Sequence, residues 1–453
     1  MKEKIKTFVS SKYFEWGVFI ILETILFLLV NPKYRDDAIF ALSFENGKSL
    51  MEVMKFRYST WSSRSIIEII LIIYATNHKI FWQVSQIFIM WLLAYSISKL
   101  FSDENNKRLN NILIFTLILT YPMFNFSAAG WEATTINYIW PMALGLFSFI
   151  SIKKLFNGKK ISMIKYILYS ISIVFACNME QMGIVILFIY LVYGLIYLCM
   201  NKKIHPFFVV QIVISILSLV FIFTCKGNFV RQQAEISNYL DYPQLSLLDK
   251  LGMCFTSTMN DYINWYAIPI TIICVILPIF IFSNYKETFF RIVSLIPIMI
   301  LLPLKYCSEL FLTLFPDLEG IKKILMTRAV TVNCNEGNNI YAWASLIISI
   351  VFFASIFVNL ILFCKDLNKN NVIIMYIIGA MSKFMLVFTS SIFASAPRTI
   401  IYFDFSIYII VFLVMKEMIK NNNKAFNRTL MGLQVVAIYQ YIANIIFIIN
   451  GLQ

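Results

Sequence analysis

Apolar runs of about 17–25 residues recur along nearly the whole chain, each long enough for a helix to cross a hydrocarbon core about 30 Å thick. A backbone with no water to bond crosses lipid only as helices or a closed barrel. The alternation over about ten residues that marks a barrel strand is absent. The expected fold class is therefore all-α: one polytopic membrane domain over 1–453, with about 13 transmembrane helices. Composition agrees, since 60% of the 453 residues are hydrophobic and 14% charged, against about 25% charged in a soluble domain. Asn31 and Pro32 follow the first run where a signal peptide would carry small residues, so that run is expected to stay as the first span.

Spans are expected near 15–31, 80–100, 109–125, 138–153, 165–178, 182–200, 206–225, 263–283, 289–304, 340–363, 371–390, 399–415 and 429–449. Parity then orients them. With Lys2, Lys4, Lys6 and Lys12 in the cytoplasm, the inner loops hold Lys107/Arg108, Lys153/Lys154/Lys159/Lys160/Lys165, Lys202/Lys203, Lys286/Arg291, Lys365/Lys369 and Lys416/Lys420/Lys424/Arg428. That is the positive-inside pattern of a plasma-membrane protein. Residues 65–76, "SIIEIILIIYAT", reach only about 18 Å as a helix. Counting them as a span would put every later basic loop outside. They are read as an interfacial helix in a first outer loop, 32–79, with a second near 48–58. The other long outer loops are 226–262 and 305–339, so irregular polar chain collects on the outer face, where binding or chemistry is expected.

The formal net charge of +14 fits basic loops beside anionic lipid. No basic soluble domain is present to hold nucleic acid. The eight cysteines lack CxxC spacing and there are two histidines, which argues against zinc. Cys307 and Cys334 could bridge one loop; unpaired thiols are the simpler reading. No pair of matching Gly- or Pro-interrupted halves suggests a transporter repeat.

Charge is scarce, so its placement is informative. Glu23, Lys383 and Asp404 fall inside spans, where a charge needs a partner or a wet cavity; Lys383 and Asp404 are expected to pair across one turn. At the outer helix ends stand Arg64 and Glu68, then Glu132, Asn137 and Tyr138, then Glu180, Asn228, Arg231 and Arg398. Trp131 and Trp140 are expected as interface anchors. Each has a plainer reading. Asp36 or Asp37 would cap the helix "AIFALSFENG", and Arg64 with Glu68 would form a surface pair. Glu180 would be a solvated turn residue, Asn137 a helix cap, and Arg231 and Arg398 contacts to lipid phosphate.

In this order, "TWSSR", "NYIWP", "NMEQMG", "GNFVR" and "APR" resemble motifs of a bacterial family of GT-C type. The long first outer loop opening with the acidic pair Asp36–Asp37 resembles the GT-C superfamily of integral-membrane glycosyltransferases as a whole. The resemblance implies transfer of a sugar from a polyprenyl-phosphate donor to a cell-surface glycopolymer outside the membrane. It casts Asp36 or Asp37 as catalytic base or metal ligand. A carboxylate can take the acceptor hydroxyl's proton, and the leaving phosphate needs cationic donors: Arg231 and Arg398 first, Arg64 third. Glu180, Glu132, Asn137, Tyr138, Asn228 and Glu68 would bind sugar hydroxyls or orient the arginines. No cofactor is implied; with one donor phosphate and no DxD spacing the reaction is read as metal-independent, a divalent metal staying open. Partners would be the lipid-linked sugar, the acceptor polymer and the bilayer, with a small flippase and a donor-lipid synthase. Two rivals remain. An envelope polysaccharide polymerase or ligase would use Lys305, Lys322, Lys323 and Arg328 of the late loop. A lipid-linked oligosaccharide flippase would need arginines deep in a central cavity.

Overall fold

The computed structural model describes residues 13–326, 340–364, 371–392, 395, 397–421 and 425–451. The N-terminal lysines, Arg328, Cys334, Lys365, Lys369 and Lys424 lie outside the described residues. Among the described residues every element is helical, and the β contact recorded is an isolated bridge between Ala128 and Gly130. Nine helices there are long and apolar enough to cross a membrane, or ten with one bent pair counted as a span. The protein is thus an all-α, multi-pass membrane protein. The expected spans 15–31, 109–125 and 165–178 form helices of 16, 13 and 14 residues. Segment 65–76 forms the 11-residue helix Ser65–Ala75.

The chain divides into two compact units, residues 1–231 with 435–453, and residues 232–434. The first unit contains α1 (Phe14–Leu29), α2 (Asp36–Ala41), α3 (Leu50–Thr60), α4 (Ser65–Ala75) and α5 (Ile80–Phe101). It continues with α6 (Lys107–Leu119), α7 (Trp131–Phe156), α8 (Met163–Ala176), α9 (Glu180–Asn201), α10 (Pro206–Phe223) and α11 (Lys226–Ala234), the last ending past the boundary. Local chemistry sets several starts. Ser49 and Glu52 form a capping box on α3, and Pro206 fits the first turn of α10, where no N–H is needed. α7 is the axis of the unit: 83% of its apolar window is buried, against 33–56% for α5, α9 and α10. It packs on α5 and α8, while α1 packs on α5 and α9 on α10.

That burial corrects one expectation. Trp131 and Trp140 are 1% and 7% exposed, so they are core residues and not an interface belt. Trp140 donates its indole N–H to Gln86 (2.8 Å).

The second unit holds α12 (Leu247–Asn264), α13 (Ile268–Asn284), α14 (Thr288–Leu301), α15 (Glu319–Met326), α16 (Ile340–Phe363), α17 (Asn371–Phe384) and α18 (Ile401–Lys420), with Ala425–Asn450 starting in it as α19. α18 packs on α17 and α13. α12 occupies much of the expected outer loop 226–262 and meets α13 at a 100° bend. Lys305, in the π turn Leu302–Tyr306, donates to the backbone carbonyls of Ile263 (3.1 Å) and Trp265 beside that bend.

The expected Lys383–Asp404 pair is also corrected. Lys383 pairs with Asp261 of α12 at 2.6 Å, both nearly fully buried, and donates to Thr399 (3.2 Å). Asp404 instead accepts from the Tyr262 hydroxyl (3.3 Å). The buried cation thus takes its carboxylate from α12 and not from α18.

Candidate functional site

The acidic segment after α1 is a tight turn. The Asp37 N–H bonds the Tyr34 carbonyl at 3.1 Å, and Arg35 holds φ 51°, ψ −122°. Those are the angles of the first central position of a type II′ turn, a place glycine normally takes. An arginine there carries strain of about 1–3 kcal/mol. Its guanidinium is held by the Ala128 carbonyl and lies 4.9 Å from the centre of the Tyr34 ring.

The turn aims Asp37 at the start of α7. Its carboxyl accepts the backbone N–H groups of Glu132 (3.1 Å) and Ala133 (2.8 Å) and is 2% exposed. Gly130 permits this approach. Its φ is +115°, and a Cβ there would stand 2.5 Å from the Asp37 carboxyl oxygen. Asp37 therefore caps α7, not its own helix α2. Burial pushes its carboxyl well above the usual carboxylate range and the Glu132 charge adds to this, while the backbone donors oppose it. Asp36 is half-buried, and its N–H bonds the Ala129 carbonyl (2.9 Å).

Further along α7 the helix widens into a π turn at Thr135–Ile139, a feature frequent at functional sites. It contains Asn137 and Tyr138, so both lie inside a helix that starts earlier than the expected span at 138. Asn137 accepts from Arg64 (3.0 Å) and donates to the Ala133 carbonyl (2.7 Å).

Arg64 precedes α4 and grips Glu180 with Nε (2.9 Å) and Nη2 (2.7 Å). Arg231 stands 3.9 Å from the other side of the same carboxylate. All three side chains are about one-fifth exposed (19–21%). Burial works against the Arg64 charge, Glu180 works for it, and the net shift is upward. The expected Arg64–Glu68 pair is absent. Glu68 instead takes both arms of Arg57 (2.6 and 2.8 Å), which sequence reasoning missed. Eleven residues separate the two, and no helical spacing joins them.

Asn228 is a strut. It accepts the Ser63 N–H (3.3 Å) and donates to the Ser63 hydroxyl (3.0 Å) and the Ile222 carbonyl (2.8 Å). The adjacent Gly227 lets α11 approach: a Cβ there would meet Trp61 N and Tyr58 O at 2.6 Å. Asn178 accepts the Ile67 N–H at 3.1 Å. Four of the five quoted motifs, "TWSSR", "NYIWP", "NMEQMG" and "GNFVR", are thereby joined. The fifth, "APR", supplies Arg398, which lies half-buried at the head of α18 in the second unit.

A helical multi-pass membrane protein is thus defined, with a charged cluster drawn from four distant segments in its first unit. Compared with protein-family models, curated proteins and solved structures, the chain matches none.

Proposed function

We propose that the chain is a membrane glycosyltransferase of GT-C type that moves a sugar from a polyprenyl-phosphate donor to a cell-envelope polysaccharide or teichoic-acid-type acceptor. The observation that supports this reading is the convergence of Arg64, Asn137, Glu180 and Arg231 from four separate motifs. In the reaction, the acceptor hydroxyl loses its proton to a carboxylate as its oxygen bonds the anomeric carbon. The bond from that carbon to the phosphate oxygen breaks, and the phosphate leaves on its lipid.

In this reading the roles differ from those first expected. Asp37 already accepts two backbone N–H groups, which makes it a positioning residue. Glu132, in the first turn of α7 that Asp37 caps, is 2% exposed, and its carboxyl accepts from no protein donor among the described residues. Glu132 is the base in this reading, with Asp36 next. Arg64 is committed to Glu180 and Asn137, so it orients the cluster. Arg231, at the looser 3.9 Å contact, receives the leaving phosphate, and Arg398 is its second candidate. The reading keeps about thirteen crossings, a cytoplasmic N-terminus and an outward-facing site, with a small flippase and a donor-lipid synthase as partners.

The test uses full-length protein in nanodiscs, labelled polyprenyl-phosphate hexoses and wall glycopolymers. Label should enter the polymer as polyprenyl phosphate is released, and Glu132→Gln should abolish both in a folded protein. Donor lipid crossing the bilayer without transfer would make the protein a flippase and overturn the proposal. Full transfer by both Glu132→Gln and Asp36→Asn would overturn the base assignment.

A further inference from the structure

The last turn of α7 and the chain leading into α8 read "KKLFNGKKISMIK", residues 153–165, with five lysines and no acid. Lys153 is spent on structure, donating to the carbonyls of Lys99 and Leu100 (both 2.8 Å) at the end of α5. α7 then closes in a Schellman turn: the Gly158 N–H bonds the Leu155 carbonyl (3.0 Å), and the Lys159 N–H bonds that of Lys154 (2.9 Å). Gly158 takes the left-handed position, at φ +67°. The turn folds Lys159 back toward the helix end, and α8 returns with Lys165 in its first turn.

These ammonium groups gather without an anion. That of Lys154 lies 5.7 Å from the centre of the Tyr169 ring. It is within hydrogen-bonding distance of the Lys165 ammonium, although both are donors, and Lys99 and Lys159 add their charges. Among the described residues none of the four pairs with a carboxylate. Like charges held so close repel, and a bound anion removes that cost. Beside them α8 leaves Met163, Ile164, Ile167 and Ile171 exposed by 49–74%, a stripe at helical spacing that faces acyl chains in a membrane. We propose that this surface binds an anionic phospholipid with two phosphates in its headgroup, a diphosphatidylglycerol, its phosphates among Lys99, Lys154, Lys159 and Lys165 and its chains along the α8 stripe. Four cations without an internal counter-charge are poorly matched by one phosphodiester, and basic surfaces between membrane helices suit such a headgroup. Lys154 lies about 25 Å along α7 from Asn137 by helical rise, so the surface is apart from the Glu180 cluster. It stands whether or not the protein transfers sugar.

Full-length protein, delipidated in detergent, is titrated with diphosphatidylglycerol, phosphatidylglycerol and phosphatidylcholine. Bound lipid is read by native mass spectrometry, and the thermal transition is followed in parallel. Diphosphatidylglycerol should bind about tenfold tighter than either of the others and raise the transition. Lys154→Gln/Lys165→Gln should lose about tenfold of that affinity, while Lys286→Gln/Lys420→Gln, which removes the same charge from the second unit, should stay within about twofold. Lys165→Glu gives Lys154 an anion from the chain itself. Its lipid-free transition should be higher than that of the unsubstituted protein, and diphosphatidylglycerol should not raise it further, which separates lost binding from lost folding. Equal binding of the three lipids overturns the proposal, as does an equal loss in the two double variants, which would leave only diffuse surface charge. Phosphatidylglycerol binding as tightly as diphosphatidylglycerol overturns the two-phosphate assignment. Displacement of the lipid by inorganic pyrophosphate would make the ligand a soluble anion and overturn the lipid assignment.

Discussion

Replacing Asp37 with asparagine tests how burial and backbone donors compete at the acidic segment. The carboxyl meets two N–H groups and is 2% exposed. Its pKa in the folded protein is raised, chiefly by burial. The native state then holds this proton to higher pH than the unfolded chain, whose carboxyl titrates near pH ~4. Below that range both states are protonated, and Asp37→Asn differs only by its amide, which faces one N–H and forfeits that bond, costing about 1–3 kcal/mol. Above it, the unfolded wild-type chain gains by ionising while the native carboxyl does not. Wild-type stability therefore falls relative to the variant by about 1.4 kcal/mol per pH unit until the raised native pKa is reached. Thermal unfolding of both proteins in detergent, compared between about pH 5 and about pH 8, reads the gap directly, and pH effects shared by the two cancel. The asparagine variant should gain on wild type as pH rises. A gap that is flat or that moves the other way would show a carboxylate held ionised by the two N–H groups, and the burial argument would be wrong. Asp37→Ala, which orphans both donors, should lose about 2–4 kcal/mol near pH ~4, and that loss should shrink as pH rises, as it does for the asparagine variant.

Three further outcomes are expected. Gly227→Ala drives a methyl group into backbone atoms at 2.6 Å, so it should lower stability by about 1–3 kcal/mol; an unchanged thermal transition would refute the close approach. Lys383→Met strands Asp261 in the core and should cost about 3–5 kcal/mol, while the double variant Lys383→Met/Asp261→Asn should regain most of it; a double variant no better than the single would refute the pairing. Arg64→Lys keeps the charge but loses the forked grip on Glu180 and the bond to Asn137. It should cost about 1–2 kcal/mol and reduce sugar transfer about tenfold, both measured against wild type in nanodiscs.

The helical class and most long spans were legible because a lipid-crossing run must be apolar along its whole length. The charged cluster was half legible. Its members could be marked as ionisable groups at helix ends, but which acid meets which arginine depends on contacts between distant segments. Arg64 reaches Glu180 across 116 residues, and no local spacing carries that information. Asp261 escaped for a different reason. The stretch around it, with Thr256, Ser257, Thr258 and Asn260 all buried, has the polarity of a loop, whereas its hydroxyls turn back onto the carbonyls of their own helix. The tryptophans misled because an indole beside a polar stretch suits an interface and a packed core equally well.

The 100° corner between α12 and α13 has a consequence for how this chain can change. A backbone turned that sharply strips carbonyls of their helical donors, and in an apolar layer no solvent replaces them. Here the missing donor is an ammonium group, and it arrives from a second irregularity, the widened turn bearing Lys305. Straightening the corner would offer the Ile263 carbonyl the Ala267 N–H but leave the Trp265 carbonyl opposite Pro269, which has no N–H, whereas removing the cation would strip both oxygens of its donor. The corner thus depends on the cation more than the cation depends on the corner.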